Sequence, residues 1–166
     1  MSTTVSQPAT SADLLDDEPQ VIRPSVRTSL VPGTATQVQV SAGEHEFTID
    51  EPPALGGTDL GANPVEHLLA ALGACQVITY QVWAGKLGLQ LDAVDVDLSG
   101  DIDLRGFFGA APDVRPGFQG VEVQVQLTGP ESQEKYDELV QVVERHCPVL
   151  DNLGNPVPVT ATVVTR

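Results

Sequence analysis

The chain has 166 residues, with 8 Lys and Arg against 23 Asp and Glu, a formal net charge of −15 and a pI near 4.2. That length favours one domain with a sizeable core, and that charge repels nucleic acid and anionic membrane surfaces, so the acidity reads as a solvating surface. Two cysteines do not make a disulfide scaffold; with neither a cleavable signal nor a transmembrane run expected, the chain reads as cytosolic, where such thiols are buried hydrophobes or a redox pair.

Residues 1–20 are rich in Ser, Thr, Ala, Asp and Pro without apolar periodicity and predict a flexible tail, leaving 21–166 as one domain. Between Val21 and Asp50 the alternating runs VRTSL, TQVQVS and EFTID, separated by Pro32-Gly33 and Ala42-Gly43, predict three short antiparallel strands in a meander. EPPALGGTDLGANP predicts a turn-rich loop, followed by a long apolar helix over Gly61–Leu87. Asn63-Pro64 is its start signal and Glu66 stands where a capping box wants a carboxylate. Its apolar residues fall on more than one face, as in a buried helix. Glu66, His67, Gln76, Gln81 and Lys86 make it too polar to span a membrane. The run Ala70, Ala71, Gly73, Ala74 is small enough for another backbone to approach beside Cys75, and Leu68, Leu72 and Thr79 share the Cys75 side.

LDAVDVDLSGDIDL alternates apolar and acidic residues, predicting a strand with one wet face. RGFFGAAPDVRPGFQG predicts a loop holding Phe107, Phe108 and Phe118, whose aromatics suit a partner surface, an active-site lid or burial in the core. GVEVQVQLTG predicts a strand, and PESQEKYDELVQVVERH an amphipathic helix with Tyr136, Leu139, Val140 and Val143 on one stripe that reaches Cys147. Cys147-Pro148 ends that helix, and a turn containing Gly154 leads to a last strand, PVPVTATVVT.

Both cysteines therefore fall on core-facing stripes of helices. They are either inert buried thiols or a pair that packing brings within disulfide reach. Cys147 lies at a helix C-terminus, where the dipole disfavours a thiolate, so mid-helix Cys75 is the better attacking thiol, given a nearby cation. Arg27 in the first strand is the preferred cation, because an inward-facing strand position reaches a central helix. His45, His67 and His146 are expected to be structural or solvated. Cys and His spacings of metal-site type, a Walker loop, a GxGxxG turn and a nucleophile-elbow serine are absent from the sequence, so no cofactor or metal is expected.

ALGGTDLGANPVEHLLAALGAC leading into the first helix, RGFFG with VRPGF in the connecting loop, and HCP after the second helix resemble the OsmC/Ohr family of osmotically induced and organic-hydroperoxide-resistance proteins. The resemblance implies an α+β OsmC-like fold in which two long central helices are wrapped by antiparallel sheets in an intertwined homodimer. It implies a cofactor-free thiol peroxidase for organic hydroperoxides, with Cys75 as peroxidatic and Cys147 as resolving cysteine, joined in a disulfide that an external dithiol reduces. It also implies an Arg and a Glu that bind the thiolate, for which Arg27 and Glu66 are the candidates. The family's Glu directly after Asn-Pro is Val65 here, and the first hairpin turn holds Leu30, Val31, Pro32 and Gly33 rather than an Arg. The alternative is a non-catalytic OsmC-like protein that binds a hydrophobic ligand and keeps inert cysteines.

Overall fold

The computed structural model describes residues 19–165, and of the expected 1–20 tail all but Pro19 and Gln20 lie outside the described residues. Those two residues are exposed and without regular structure. The chain divides between Pro64 and Val65 into two compact units.

The first unit is the expected meander: β1 (Arg27–Leu30), β2 (Val38–Ala42) and β3 (His45–Ile49), antiparallel in the order β1-β2-β3. Its turns fall at the two Gly signals, where Gly33 and Gly43 take φ of 82° and 62°, a region that costs a residue with a side chain. Asp50, at the end of β3, is 1 % exposed and organises the loop that follows. Its carboxylate accepts from Thr36 Oγ1 at 2.6 Å, from Thr58 Oγ1 at 2.7 Å and N at 2.9 Å, from Glu51 N at 2.9 Å and from Leu60 N at 3.3 Å. These bonds hold the Asp50 carboxyl well below the usual carboxylate range, the Thr36 hydroxyl contributing most, against the opposing effect of burial.

The second unit begins with α1 (Pro64–Leu87), which starts at the Asn63-Pro64 signal and runs for 24 residues. By length and a mean hydropathy of 1.3 it is long and apolar enough to cross a membrane, so the scattered polar residues do not lower its hydropathy as far as expected. Packing within the chain covers a third of that apolar stretch. Tyr80 and Ala84 are buried with Tyr136, Leu139 and Val143 of α3 (Gln133–His146) in a single cluster, against which Val94, Val125 and Leu127 pack from a two-stranded sheet. Sequence expectation treated both helices as long, but α3 has only 14 residues.

That sheet pairs β4 (Ala93–Asp101) with β5 (Gly120–Thr128), antiparallel from Ala93↔Thr128 to Asp101↔Gly120. Its alternation is as expected: Val94, Val96 and Leu98 are half-buried, while Asp95 and Asp97 stand exposed. The small residues of α1 find their use here, because a Cβ on buried Gly73 would lie 2.7 Å from Leu98 Cδ1. Tyr136 ties the helix to the sheet's approach, donating its hydroxyl to Gln90 O at 2.9 Å.

Three expectations are corrected. The β4–β5 connection contains a one-turn helix, α2 (Leu104–Phe107), capped by the Asp103 side chain on Arg105 N. Pro148 starts a further helix, α4 (Pro148–Gly154), rather than a simple turn. Residues 156–165 form no strand; they run exposed and without a ladder partner among the described residues.

Leu139 is fully buried at the centre of the α1–α3 contact. Leu139→Ala is expected to lower the unfolding free energy by about 2–5 kcal/mol in a denaturant titration. The Asp50 contribution is complete above the ordinary carboxylate pKa of about 3.9 and is lost as pH falls from there through the depressed folded value. Asp50→Asn, which swaps an acceptor for a donor facing N–H groups, is expected to lower the thermal midpoint by several degrees at neutral pH and to flatten the fall in stability below about pH 4.

Candidate active site

The site is built where α3 stops. Cys147 donates its N–H to Val143 O at 2.9 Å, closing the last turn. Its backbone then turns extended, φ −82° and ψ 110°, because Pro148 disfavours the helical region for the residue before it. Cys147 is thus both the last cap of α3 and the first cap of α4, and its carbonyl accepts from Asp151 N at 3.0 Å. The residue is 1 % exposed.

Against it, from α1, comes Cys75. The two thiols are free, and Cys75 lies near enough to Cys147 to act on its thiol, so the pair the sequence placed on two stripes is brought together. Burial pushes the Cys147 thiol up; the Cys75 thiol beside it acts in the same direction. The N–H groups of Leu150 and Val149 at the start of α4 oppose the rise without reversing it. Tyr80, buried next to this junction, has its hydroxyl pushed up by burial, with the charges of Glu144 and Cys147 adding.

Cys75 is only half-buried. It opens on an apolar cavity of about 290 Å³ lined by Cys75, Ile78, Thr79, Val82 and Trp83 of α1, His146 of α3 and Pro148 of α4. Thr79 donates its hydroxyl to Cys75 O at 2.7 Å. Trp83 stacks on His146 with ring centroids 4.2 Å apart, and Lys86 Nζ sits 4.4 Å from the Trp83 centroid. His146 is an exposed residue of α3, as expected from the sequence, but one that also lines this cavity; Trp83 was missed as a site residue. The spacing that could have found it is Cys75, Thr79, Trp83, three residues four apart on one helix face.

Of the other two candidates, Glu66 stands apart from the cavity. Glu66 is exposed in the first turn of α1. Nine residues before Cys75, it is half a turn round the helix and roughly 14 Å along its axis, so it does not share the Cys75 cavity. Arg27 belongs to the first unit, exposed and paired with Ser41; β1 is an edge strand whose four residues are all exposed, so the inward-facing position expected for Arg27 is not the one it has. The aromatic loop resolves as two cases. Phe107 and Phe108 are 67 % and 65 % exposed in edge-to-face contact, whereas Phe118 is half-buried and closes on Gly100.

A second cavity of about 420 Å³ lies along the earlier turns of α1, lined by Leu68, Leu72, Val121, Val123 and Leu153, with Arg115 among its walls.

The sequence from 57 to 162 matches the family described as OsmC-like protein. The chain belongs to that family. Solved structures agree in fold. An OsmC-like protein from Mycoplasma pneumoniae superposes with a TM-score of 0.70 at 17 % identity, over 82 % of this chain and 91 % of that one. An organic hydroperoxide resistance protein OsmC from Legionella pneumophila gives 0.61 at 20 % identity, over 81 % and 91 %. An organic hydroperoxide resistance protein from Elizabethkingia anophelis gives 0.58 at 19 %, over 83 % and 93 %. Among curated proteins, none matches the sequence. The α+β architecture with antiparallel sheets is thus that of OsmC-like proteins.

Because Cys147 is buried and its thiol pushed up while Cys75 opens on a cavity, the OsmC-like site is expected to alkylate unequally. Under native conditions at neutral pH, iodoacetamide should label Cys75 at least about tenfold faster than Cys147, measured by peptide mass spectrometry, and the difference should vanish in denaturant.

Proposed function

We propose that this OsmC-like protein is a cysteine-based thiol peroxidase that reduces organic hydroperoxides. The observation that carries the reading is the nearness of the Cys75 and Cys147 thiols, one open to a cavity and the other buried. The Cys75 thiolate attacks the distal oxygen of the hydroperoxide; the O–O bond breaks, and the alkoxide leaves with a proton as the alcohol. Sulfur has then been oxidised to a sulfenic acid. Cys147 attacks that sulfur, an S–S bond forms and water leaves. An external dithiol reduces the disulfide by two exchanges and restores both thiols. No metal or organic cofactor enters the cycle.

The apolar walls of the Cys75 cavity suit a small hydrophobic peroxide over hydrogen peroxide. The resemblance implies a cation and a carboxylate for the thiolate; Glu66, exposed in the first turn of α1 and outside the Cys75 cavity, is not assigned that role, and Arg27 stays in this reading only as the cation the resemblance implies. We place the protein in the cytoplasm, where a dithiol reductant is at hand, and assign it a homodimeric state. The dimer is supported by the face of α1 that carries Ile78 and Val82, 63 % and 42 % exposed on a helix apolar all round, and by the unpaired, Val-rich 156–165 segment.

Cys75→Ser is expected to abolish dithiol-coupled consumption of cumene hydroperoxide. Wild-type protein treated with one equivalent should lose the mass of two hydrogens, and Cys147→Ser should lose that signature while still reducing one equivalent of peroxide. Full peroxide consumption by Cys75→Ser would sink the reading.

A binding protein is the second reading, favoured by the cavity of about 420 Å³ with its apolar walls and Arg115. It predicts that a Cys75→Ser/Cys147→Ser variant binds anilinonaphthalene sulfonate as wild type does while wild type consumes no hydroperoxide. The same assay pair therefore separates the two.

A further inference from the structure

The Cys75 cavity has one feature that neither the pairing of the cysteines nor the family resemblance uses. Of the side chains lining it, only His146 carries a basic nitrogen lone pair that can take up a proton. Thr79 is committed, its hydroxyl donated to Cys75 O. Ile78, Val82, Trp83 and Pro148 offer no base.

The state of the His146 ring follows from its neighbour. Nδ1 lies 2.7 Å from Val142 O, one turn back in α3. A carbonyl oxygen only accepts, so Nδ1 carries the hydrogen, and in the neutral ring Nε2 holds the lone pair. The ring plane is set independently by Trp83, whose centroid is 4.2 Å away at an interplanar angle of 45°. One hydrogen bond and one aromatic contact therefore fix both the tautomer and the orientation of an imidazole on the wall of the cavity that Cys75 opens into.

We propose that His146 is the proton acceptor that activates Cys75. The inference rests on the peroxidase reading for the second half of the cycle but not for the first. In the first half the Cys75 S–H bond breaks, the proton passes to His146 Nε2, directly or through one water, and a thiolate–imidazolium pair results. In the second half the thiolate takes the distal oxygen of an organic hydroperoxide, and the imidazolium returns the proton to the departing alkoxide, giving alcohol and neutral imidazole. Atoms and charge balance, and the oxidant is the hydroperoxide itself. The groups around the ring are Cys75 and, over the Trp83 indole, Lys86 from α1; Cys147, next in the chain, from α3; and only Pro148 from α4.

A thiol in water is only a few per cent ionised near neutral pH, so full activation is worth at most roughly thirtyfold in rate there. The test compares full-length wild type with His146→Ala and His146→Gln, in two assays. One is the rate of Cys75 alkylation by iodoacetamide across pH 5 to 10, which needs no peroxide. The other is the single-turnover rate with cumene hydroperoxide. The expected result at neutral pH is a loss of about tenfold or more in both assays for both variants. The alkylation profile should move to higher pH, and added imidazole should restore the rate in His146→Ala, where it can occupy the vacated volume. Unchanged alkylation in both variants would overturn the proposal. So would a loss that imidazole does not restore and that leaves the pH profile where it was, since that marks a packing role beside Trp83. Alkylation that depends on His146 in a wild type that consumes no hydroperoxide would keep the thiolate–imidazolium pair and reject the peroxidase.

Discussion

The backbone of Cys147 is extended, a conformation that the following Pro148 favours over the helical one, and the arrangement of the site depends on that constraint. The chain leaves α3 at Cys147 and re-enters a helix at Pro148 without an intervening loop, so the residue is pinned by its own N–H to Val143 and by its carbonyl to Asp151. Two helix ends meeting at one cysteine hold the thiol in place more firmly than a loop would. The rest of the unit brings α1 to it: Tyr80 and Ala84 bury against Leu139 and Val143, one turn short of Cys147, and this packing sets Cys75 beside it.

Packing in turn explains the composition of α1. A helix with apolar residues on every side needs cover on every side. Leu72 and Tyr80 are buried, and Gly73 lets Leu98 of β4 approach the backbone, yet Ile78 and Val82 remain exposed. Gln76 is buried as well, and its Oε1 finds no donor among the described residues. The second copy invoked above would meet this same face. The acidic residues are spent on the opposite kind of surface: Asp95 and Asp97 alternate with inward apolar residues along β4 and simply keep that side wet.

Much of this was legible from periodicity. The alternation in VQVSA and HEFTI, the Gly turns between strands, the Asn63-Pro64 start of α1 and the stripe from Tyr136 to Cys147 all depend on local rules that act within a few residues, and the structure follows them. Residues 156–165 obey the same strand rule and form no strand, because a strand needs an edge to pair with and pairing is not a local property. α4 was hidden for a related reason: Pro148 is as good a first helical residue as it is a helix stop, and the sequence alone favours neither. Asp50 went unremarked since a carboxylate surrounded by Thr36, Thr58 and Leu60 is assembled from residues up to fourteen positions apart. In the site, the two thiols could be found from their stripes, whereas His146 could not, since its value lies in the Val142 carbonyl and the Trp83 ring that fix it.

The two thiols end in unlike surroundings, and in the proposed cycle that difference is what sets their order of action. Cys147 is buried and raised in pKa, so it is a poor first nucleophile at neutral pH, and a peroxide does not reach it. A thiol of that kind reacts once a good electrophile is delivered to it, and a sulfenic acid on Cys75 is such an electrophile, already beside it. Cys75 has the converse setting: an open apolar wall, a hydroxyl that locks its carbonyl, and an oriented imidazole across the cavity. Burial thus does two things at one junction. It raises the Cys147 thiol, and in the proposed cycle it leaves the base and the entrance to Cys75 alone.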